Sequence, residues 1–235
     1  MTEEKIKQYI KEAHQNAVDK GLYDCPECGG ICLMKYHLDI PNYYSQRPDD
    51  KCRTCKGTVI DPNKNIGELL QRVNESICLA GIAHRRGRFA DWDNLEKQFN
   101  FYTGSAFKHW QKVGGFATLY EQNIKDTFED EIADVFIRLF DLCGYLEIEP
   151  ELLNSYNPSE NIGSDLLRAT MIVSQLWPLL RLDLDRKEIA KEYSFASGDI
   201  IKFLSDFCQH HNIPIEKHID AKMAYDKPNQ HGKDY

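Results

Sequence analysis

The chain lacks any apolar run approaching the length of a membrane span, so no spanning helix is expected. The opening Met1-Thr2-Glu3-Glu4-Lys5 lacks the apolar core of a signal peptide, and a cytosolic (cytoplasmic) chain is expected. Positive charge is also short. Among 235 residues, 29 Lys and Arg face 37 Asp and Glu, for a formal net charge of -8. A general nucleic-acid binder carries a basic stripe, so bulk charge sets that class aside. It leaves one local basic run, His84-Arg85-Arg86-Gly87-Arg88. Gly114-Gly115 lacks a following Gly-Lys-Ser/Thr and reads as a turn rather than a phosphate loop. No Ser-His-Asp or Cys-His arrangement can be nominated. Cysteine is present, eight times, and in a cytosolic chain it reads as thiol or metal ligand rather than disulfide.

Residues 3 to about 20 have a thin apolar stripe at Ile6, Ile10, Ala13 and Ala17, which predicts a polar leading helix stopped by Gly21. Residues 22–63 change character, with Pro26, Pro41, Pro48 and Pro62, the turn pair Gly29-Gly30 and short alternating stretches. They predict a small ribbon-like module. From Asn65 the helical period dominates. Ile66, Leu69, Leu70, Val73, Ile77 and Ala80 form one buried face, and Ile132, Val135, Phe136, Leu139, Cys143 and Leu146 form another. Ile200, Leu204, Phe207 and Cys208 predict a third, shorter helix. The body is therefore expected to be all-α, an antiparallel bundle.

Two halves of the body resemble each other. Asn65-Ile66-Gly67 recurs as Asn161-Ile162-Gly163. Asp134 and Asp141 are seven apart, as are Asp199 and Asp206, and Cys143 or Cys208 follows two residues after each second aspartate. The expected organisation is a leading helix (1–21), a zinc-ribbon-like module (22–63), a first helical repeat (64–157), and a degenerate second repeat with a tail (158–235). Coincidence between amphipathic helices is the competing account.

Cys25-Pro-Glu-Cys28-Gly and Cys52-Arg-Thr-Cys55-Lys-Gly are paired C-x-x-C knuckles. Two intervening residues let both thiolates of a pair face one tetrahedral site, and the glycine permits the tight turn. Four thiolates at Cys25, Cys28, Cys52 and Cys55 suit Zn²⁺. A closed four-thiolate shell leaves no open position, so the zinc is expected to be structural, with the module available to a protein partner. Cys32, Cys78, Cys143 and Cys208 read as ordinary core or half-buried residues. His210, His211 and His218 lack ligand spacing and read as surface histidines. Trp92, Trp110 and Trp177 read as packing residues.

Glu131-Ile-Ala-Asp134 places two carboxylates at i and i+3 on one helix face, and Asp141 returns near it. Such a stack suits Mg²⁺, which takes oxygen ligands and bridges to substrate phosphates. A solvated face with an Asp134–Arg138 ion pair is the plain alternative. Phe128-Glu-Asp-Glu-Ile-Ala-Asp-Val-Phe-Ile-Arg-Leu-Phe-Asp-Leu-Cys-Gly144 resembles the second metal helix, E-x-x-D, of the MazG-like NTP pyrophosphatases. Asn65-Ile-Gly-Glu-Leu-Leu and His84-Arg-Arg-Gly-Arg-Phe-Ala-Asp91 resemble the edges of that family's first metal helix. Ile10 to Gly21 resembles its leading helix. Lys222-Met-Ala-Tyr-Asp-Lys227 and His231-Gly-Lys-Asp-Tyr235 resemble its tail.

The resemblance implies an all-α protein, dimeric or higher, that cleaves NTPs to NMP and pyrophosphate with Mg²⁺ held by acids on two helices. Glu131 and Asp134 would be the catalytic metal ligands. Lys222, Tyr225, Lys227 and Lys233 would contact phosphate or nucleotide. The sequence departs from the pattern in places. The first metal helix carries Ser76 and Leu79 where E-x-x-E is expected, and Glu75 is one residue off, about 100° around the helix. The second repeat has Gln175 and Pro178 in that helix and Ala196 before Asp199. Asp226 stands where asparagine is expected. Three readings follow: a divergent pyrophosphohydrolase drawing acids from Glu75, Asp130 or another subunit, an inactive relative that binds a nucleotide or a protein, or a purely structural interaction protein without ligand.

Overall fold

The computed structural model describes residues 1–20, 62–103, 116–152, 156–181 and 186–226. Every regular element among them is helical. Nearly all of the expected zinc module, with Cys25, Cys28, Cys52 and Cys55, lies outside the described residues, as do Lys227 and Lys233. The helices are α1 (Glu3–Asp19), α2 (Pro62–Arg85), α3 (Trp92–Thr103), α4 (Phe116–Asn123), α5 (Phe128–Leu146), α6 (Ile162–Ser174), α7 (Arg186–His210) and α8 (Ile215–Asp226). A 3₁₀ turn at Trp177–Arg181 follows α6 and contains Pro178, which has no N–H to continue the helix. No helix among the described residues is long and apolar enough to cross a membrane.

Local chemistry sets the ends. Thr2 caps α1 by accepting from the Lys5 N–H at 3.3 Å. Thr127 does the same for α5 through the Asp130 N–H, and Asn161 for α6 through the Ser164 N–H. Each cap satisfies a donor that the first turn leaves unpaired, and is worth about 1 kcal/mol. α5 ends at Glu147, whose left-handed backbone (φ 56) turns its N–H back to the Cys143 and Gly144 carbonyls.

α5 is the central helix. Fifteen of its 19 residues are buried, so it is covered on nearly all sides rather than along one stripe. α1, α2, α7 and α8 pack on it, α2 also meets α6, and α6 meets α7. The apolar positions anticipated in α2 and α5 are all in this core. Gly144 lets α1 lie close: a Cβ there would sit 2.5 Å from the His14 Cβ. A smaller core joins α3, α4 and α8 through Leu95, Phe116, Leu119, Tyr120, Ile124, Ala221 and Ala224.

One expectation needs correction. The third helix is not short: α7 runs 25 residues from Arg186. Tyr193 carries the buried face back towards the start of the helix, where buried Ser194 and Ser197 interrupt the apolar period. That half is also held by residues 149–151. The Glu151 N–H donates to the Ser194 carbonyl at 3.2 Å, and the Ser194 hydroxyl donates to the Glu149 carbonyl.

Candidate functional site

The acidic residues of α5 meet α8 at its buried face. Asp130 and Asp134 are one turn apart, and the Lys222 ammonium reaches across from α8 between them. Its Nζ lies 2.9 Å from Asp130 Oδ2 and 3.1 Å from Asp134 Oδ2. Asp130 is completely buried and also accepts from the Tyr120 hydroxyl and, at 3.0 Å, from the Asp126 N–H. Burial pushes its pKa up, but these three donors converge on the ionised form. Burial likewise works against the Lys222 charge, yet Asp134 and Asp130 outweigh it and hold that pKa above the ordinary lysine value. Tyr120 stays a neutral donor, because burial first and then Asp130 push its ionisation far upward.

Glu131 is the odd carboxylate. It is 7% exposed, and among the described residues its Oε2 has no hydrogen-bond partner. Burial, then the neighbouring Asp134 charge, pushes its pKa up to about 7. At neutral pH it therefore stands near half protonation.

The remaining sequence candidates separate clearly. Tyr225 lies beside the cluster, stacked on Tyr120 with ring centroids 4.6 Å apart, and its hydroxyl donates to Glu121 at 2.5 Å. Lys125 sits over the Tyr225 ring at 5.7 Å. Asp134 pairs with Lys222 on α8, not with Arg138. Asp141 faces α1 and contacts His14 Nδ1 at 3.0 Å. Ser76 is buried while Leu79 is 47% exposed, so the two positions do not line a common site. Glu75 is exposed and accepts from Gln71 at 2.7 Å, and does not join the α5 carboxylates. Asp226 pairs with Lys20 at 2.8 Å. In the second repeat Gln175 is exposed, and Ala196 and Asp199 are half-buried on α7.

His218 is not a surface histidine. It is 1% exposed and lies one turn before Lys222 on α8. Trp92 Nε1 donates to its Nε2 at 2.8 Å, and the Lys217 ammonium lies 4.2 Å from the Trp92 ring centre. This contact anchors the start of α3 on α8. Sequence reasoning missed it, since a Trp and a His 126 residues apart carry no spacing signal.

No family model, curated protein or solved structure matches the chain. The site must therefore be judged on its own chemistry. Among the described residues, no three or more His, Cys, Asp or Glu side chains are grouped to hold a metal ion. The α5 acids do not fit a multi-metal centre: two of them already share an ammonium, and α2 offers serine and leucine instead of a second acidic pair. A cavity of about 1000 Å³ lies elsewhere, between α1, α7 and the start of α8, lined by Met1, Ile6, Lys202, Asp206 and Gln209 among others, and no α5 carboxylate borders it.

The basic run after α2 reaches the start of α5 through Arg88. The Phe128 N–H donates to the Arg88 carbonyl at 2.8 Å, and the Ala90 N–H to Glu129 Oε2 at 3.0 Å, so the turn after α2 covers this helix end. Arg85, Arg86 and Arg88 are exposed there, with Arg88 3.8 Å from Asp126.

Proposed function

We propose that this chain is a divergent MazG-like nucleotide-binding protein in which the metal-dependent cleavage typical of that family is lost. The observation that carries the reading is the Lys222 ammonium seated between Asp130 and Asp134, on the helix with the E-x-x-D pattern. A hydrolytic centre of this type needs metal ions to neutralise the triphosphate and to lower the pKa of the attacking water. Here the cation is a lysine, which does neither for a bound water. The all-helical architecture and the α5, α8 and His84–Asp91 sequences support the family reading. Nucleotide phosphates would meet the exposed guanidinium groups of Arg85, Arg86 and Arg88, with Lys125 beside them. Lys227 and Lys233 would extend that contact, with Tyr225 beside it. The contact of α2 with α6 and of α5 with α7 suits the duplicated organisation. Cys25, Cys28, Cys52 and Cys55 would hold a structural zinc in a module facing a protein partner.

Pyrophosphate release from canonical and modified NTPs, with Mg²⁺ or Mn²⁺, should equal the enzyme-free control. Nucleotide binding should be measurable and should weaken at least about tenfold, about 1.4 kcal/mol, when Arg85 and Arg86 are both replaced by alanine. Turnover that Glu131→Gln abolishes would select the active pyrophosphohydrolase instead. Absence of binding to every nucleotide tried would remove the nucleotide reading. Metal analysis should find about one Zn²⁺ per chain, lost in Cys25→Ser; a metal-free chain with reactive Cys25 and Cys52 would refute the zinc module.

A further inference from the structure

The turn that closes α2 sets an aromatic ring beside unpaired cations. Phe89 is 51% exposed and directly follows the exposed run Arg85, Arg86, Gly87 and Arg88. The backbone of this turn is tied at several points. Gly87 takes the left-handed conformation (φ 66), and the Gly87 and Arg88 N–H groups return to the His84 and Ala83 carbonyls, each at 3.0 Å. The Arg88 carbonyl accepts from the Phe128 N–H at 2.8 Å, which joins the turn to α5. The Phe89 ring stands nearly perpendicular to the rings of His84 and Phe128, with centroids 5.8 and 6.2 Å away. Phe128 is buried, so Phe89 rests on the core while half of its surface stays open. The Arg88 guanidinium is engaged by the Lys125 carbonyl at 3.4 Å and by Asp126 at 3.8 Å. Arg85 and Arg86 have no side-chain partner among the described residues. In a chain with 37 acids against 29 Lys and Arg, two unpaired guanidiniums on one turn are an uncompensated positive spot. A lone exposed ring is ordinary. A ring fixed beside two unpaired guanidiniums matches both halves of a nucleotide, the flat base and the anionic phosphate.

We infer that Phe89 is the platform on which the base stacks while Arg85 and Arg86 hold the phosphate, so that the turn takes a nucleobase joined to phosphate without choosing between bases. Stacking tolerates any base, because every base has a π-face. The inference rests on the nucleotide reading above and adds to it the base contact and the lack of base preference. A free nucleotide and a nucleotide of a single strand offer the same chemistry.

The probes are AMP, UMP, ribose 5-phosphate and a short single-stranded oligoadenylate, each titrated calorimetrically into the full chain. Phe89→Leu keeps an apolar side chain against Phe128 but has no ring. It should weaken AMP and UMP at least about fivefold, to the level of ribose 5-phosphate, and should leave ribose 5-phosphate itself unchanged. The four nucleoside monophosphates should bind the wild type within about tenfold of one another. Phe89→Trp should retain binding, and the emission it adds should be quenched by AMP and not by ribose 5-phosphate. Oligoadenylate bound no more tightly per nucleotide than AMP assigns the site to free nucleotides, and tighter binding assigns it to a strand; either supports the platform when Phe89→Leu weakens it. AMP binding that survives Phe89→Leu but is lost when Arg85 and Arg86 are both alanine overturns the platform and leaves the nucleotide reading standing. A preference of more than about 100-fold for one base overturns it too, since stacking alone does not discriminate so far. A wild type that binds no nucleotide overturns both readings. Should Phe89→Leu melt early, the Phe89→Trp emission decides: quenching by AMP alone supports the platform, and an unchanged spectrum overturns it.

Discussion

Gly198→Ala should destabilise the protein by about 3 kcal/mol or more, while Gly81→Ala should leave it unchanged or stabilise it by up to about 1 kcal/mol. Both glycines lie inside long helices, Gly198 in α7 and Gly81 in α2. In both, alanine removes backbone freedom from the unfolded chain, a gain for the folded state wherever the native backbone accepts a side chain. The difference is what the new methyl group meets. At Gly81 it would touch a Leu166 methyl at 3.6 Å, an ordinary contact. At Gly198 it would lie 2.0 Å from the Glu151 carbonyl oxygen, 2.5 Å from its carbon and 2.8 Å from its nitrogen. Those are backbone atoms fixed by the Glu151–Ser194 hydrogen bond, so no rotamer change relieves them. Either α7 shifts or the 149–151 strap lifts and loses its bonds to Ser194. Thermal melting should show a fall of roughly 6–12 °C for Gly198→Ala against little change for Gly81→Ala. Equal melting temperatures for the two variants would mean that the strap does not press on α7.

That pair also marks the limit of what the sequence could disclose. The buried faces of α2 and α5 were legible because apolar residues at spacings of three and four must face a core wherever they fall, and Ile66 to Ala80 and Ile132 to Leu146 do so. Asp130 and Asp134 were legible as acids one turn apart on α5, though only Asp134 stood in the E-x-x-D pair. Their partner was not. Lys222 is 92 residues beyond Asp130 in the chain, and nothing in an amphipathic pattern says that a lysine will turn inward. In α8, His218 and Lys222 are buried beside Ile219 and Met223, so the core face of that helix mixes polar and apolar residues and its periodicity is blurred. The start of α7 was blurred in the same way: Tyr193 is buried in the core, but Ser194 and Ser197 are buried beside it and break the apolar spacing. The basic run at Arg85–Arg88 could be read as a patch, but only the chain path places it over the start of α5.

Acid should weaken the protein in a window set by His218, with up to about 4–5 kcal/mol lost between pH 6.5 and pH 3. Burial first, and the adjacent Lys217 charge second, lower the His218 pKa from 6.5 to about 3. The folded state therefore binds fewer protons than the unfolded chain throughout that interval. The contribution is complete above 6.5 and is lost as pH falls towards 3. The geometry agrees: the Trp92 N–H donates to Nε2 at 2.8 Å. That bond assigns the imidazole proton to Nδ1, and protonating Nε2 would set two donors against each other in a buried site. Glu131 acts in the opposite sense. Its raised pKa means that the folded state holds an extra proton between the ordinary carboxylate range and about 7, so stability falls as pH rises through that window. Solvent screening limits that effect to roughly 1–2 kcal/mol. The two slopes oppose each other near pH 5–6, and the wild-type curve there should be shallower than His218 alone would make it. Replacing each residue in turn separates them. In urea unfolding measured from pH 4 to 8, His218→Gln should become more stable relative to wild type as pH falls, since glutamine can accept from Trp92 and takes up no proton. Glu131→Gln should steepen the acid loss and gain relative stability above pH 6. A His218 ring that titrates near 6.5 in the folded protein, followed by NMR, would place that histidine in solvent and contradict its Trp92 contact.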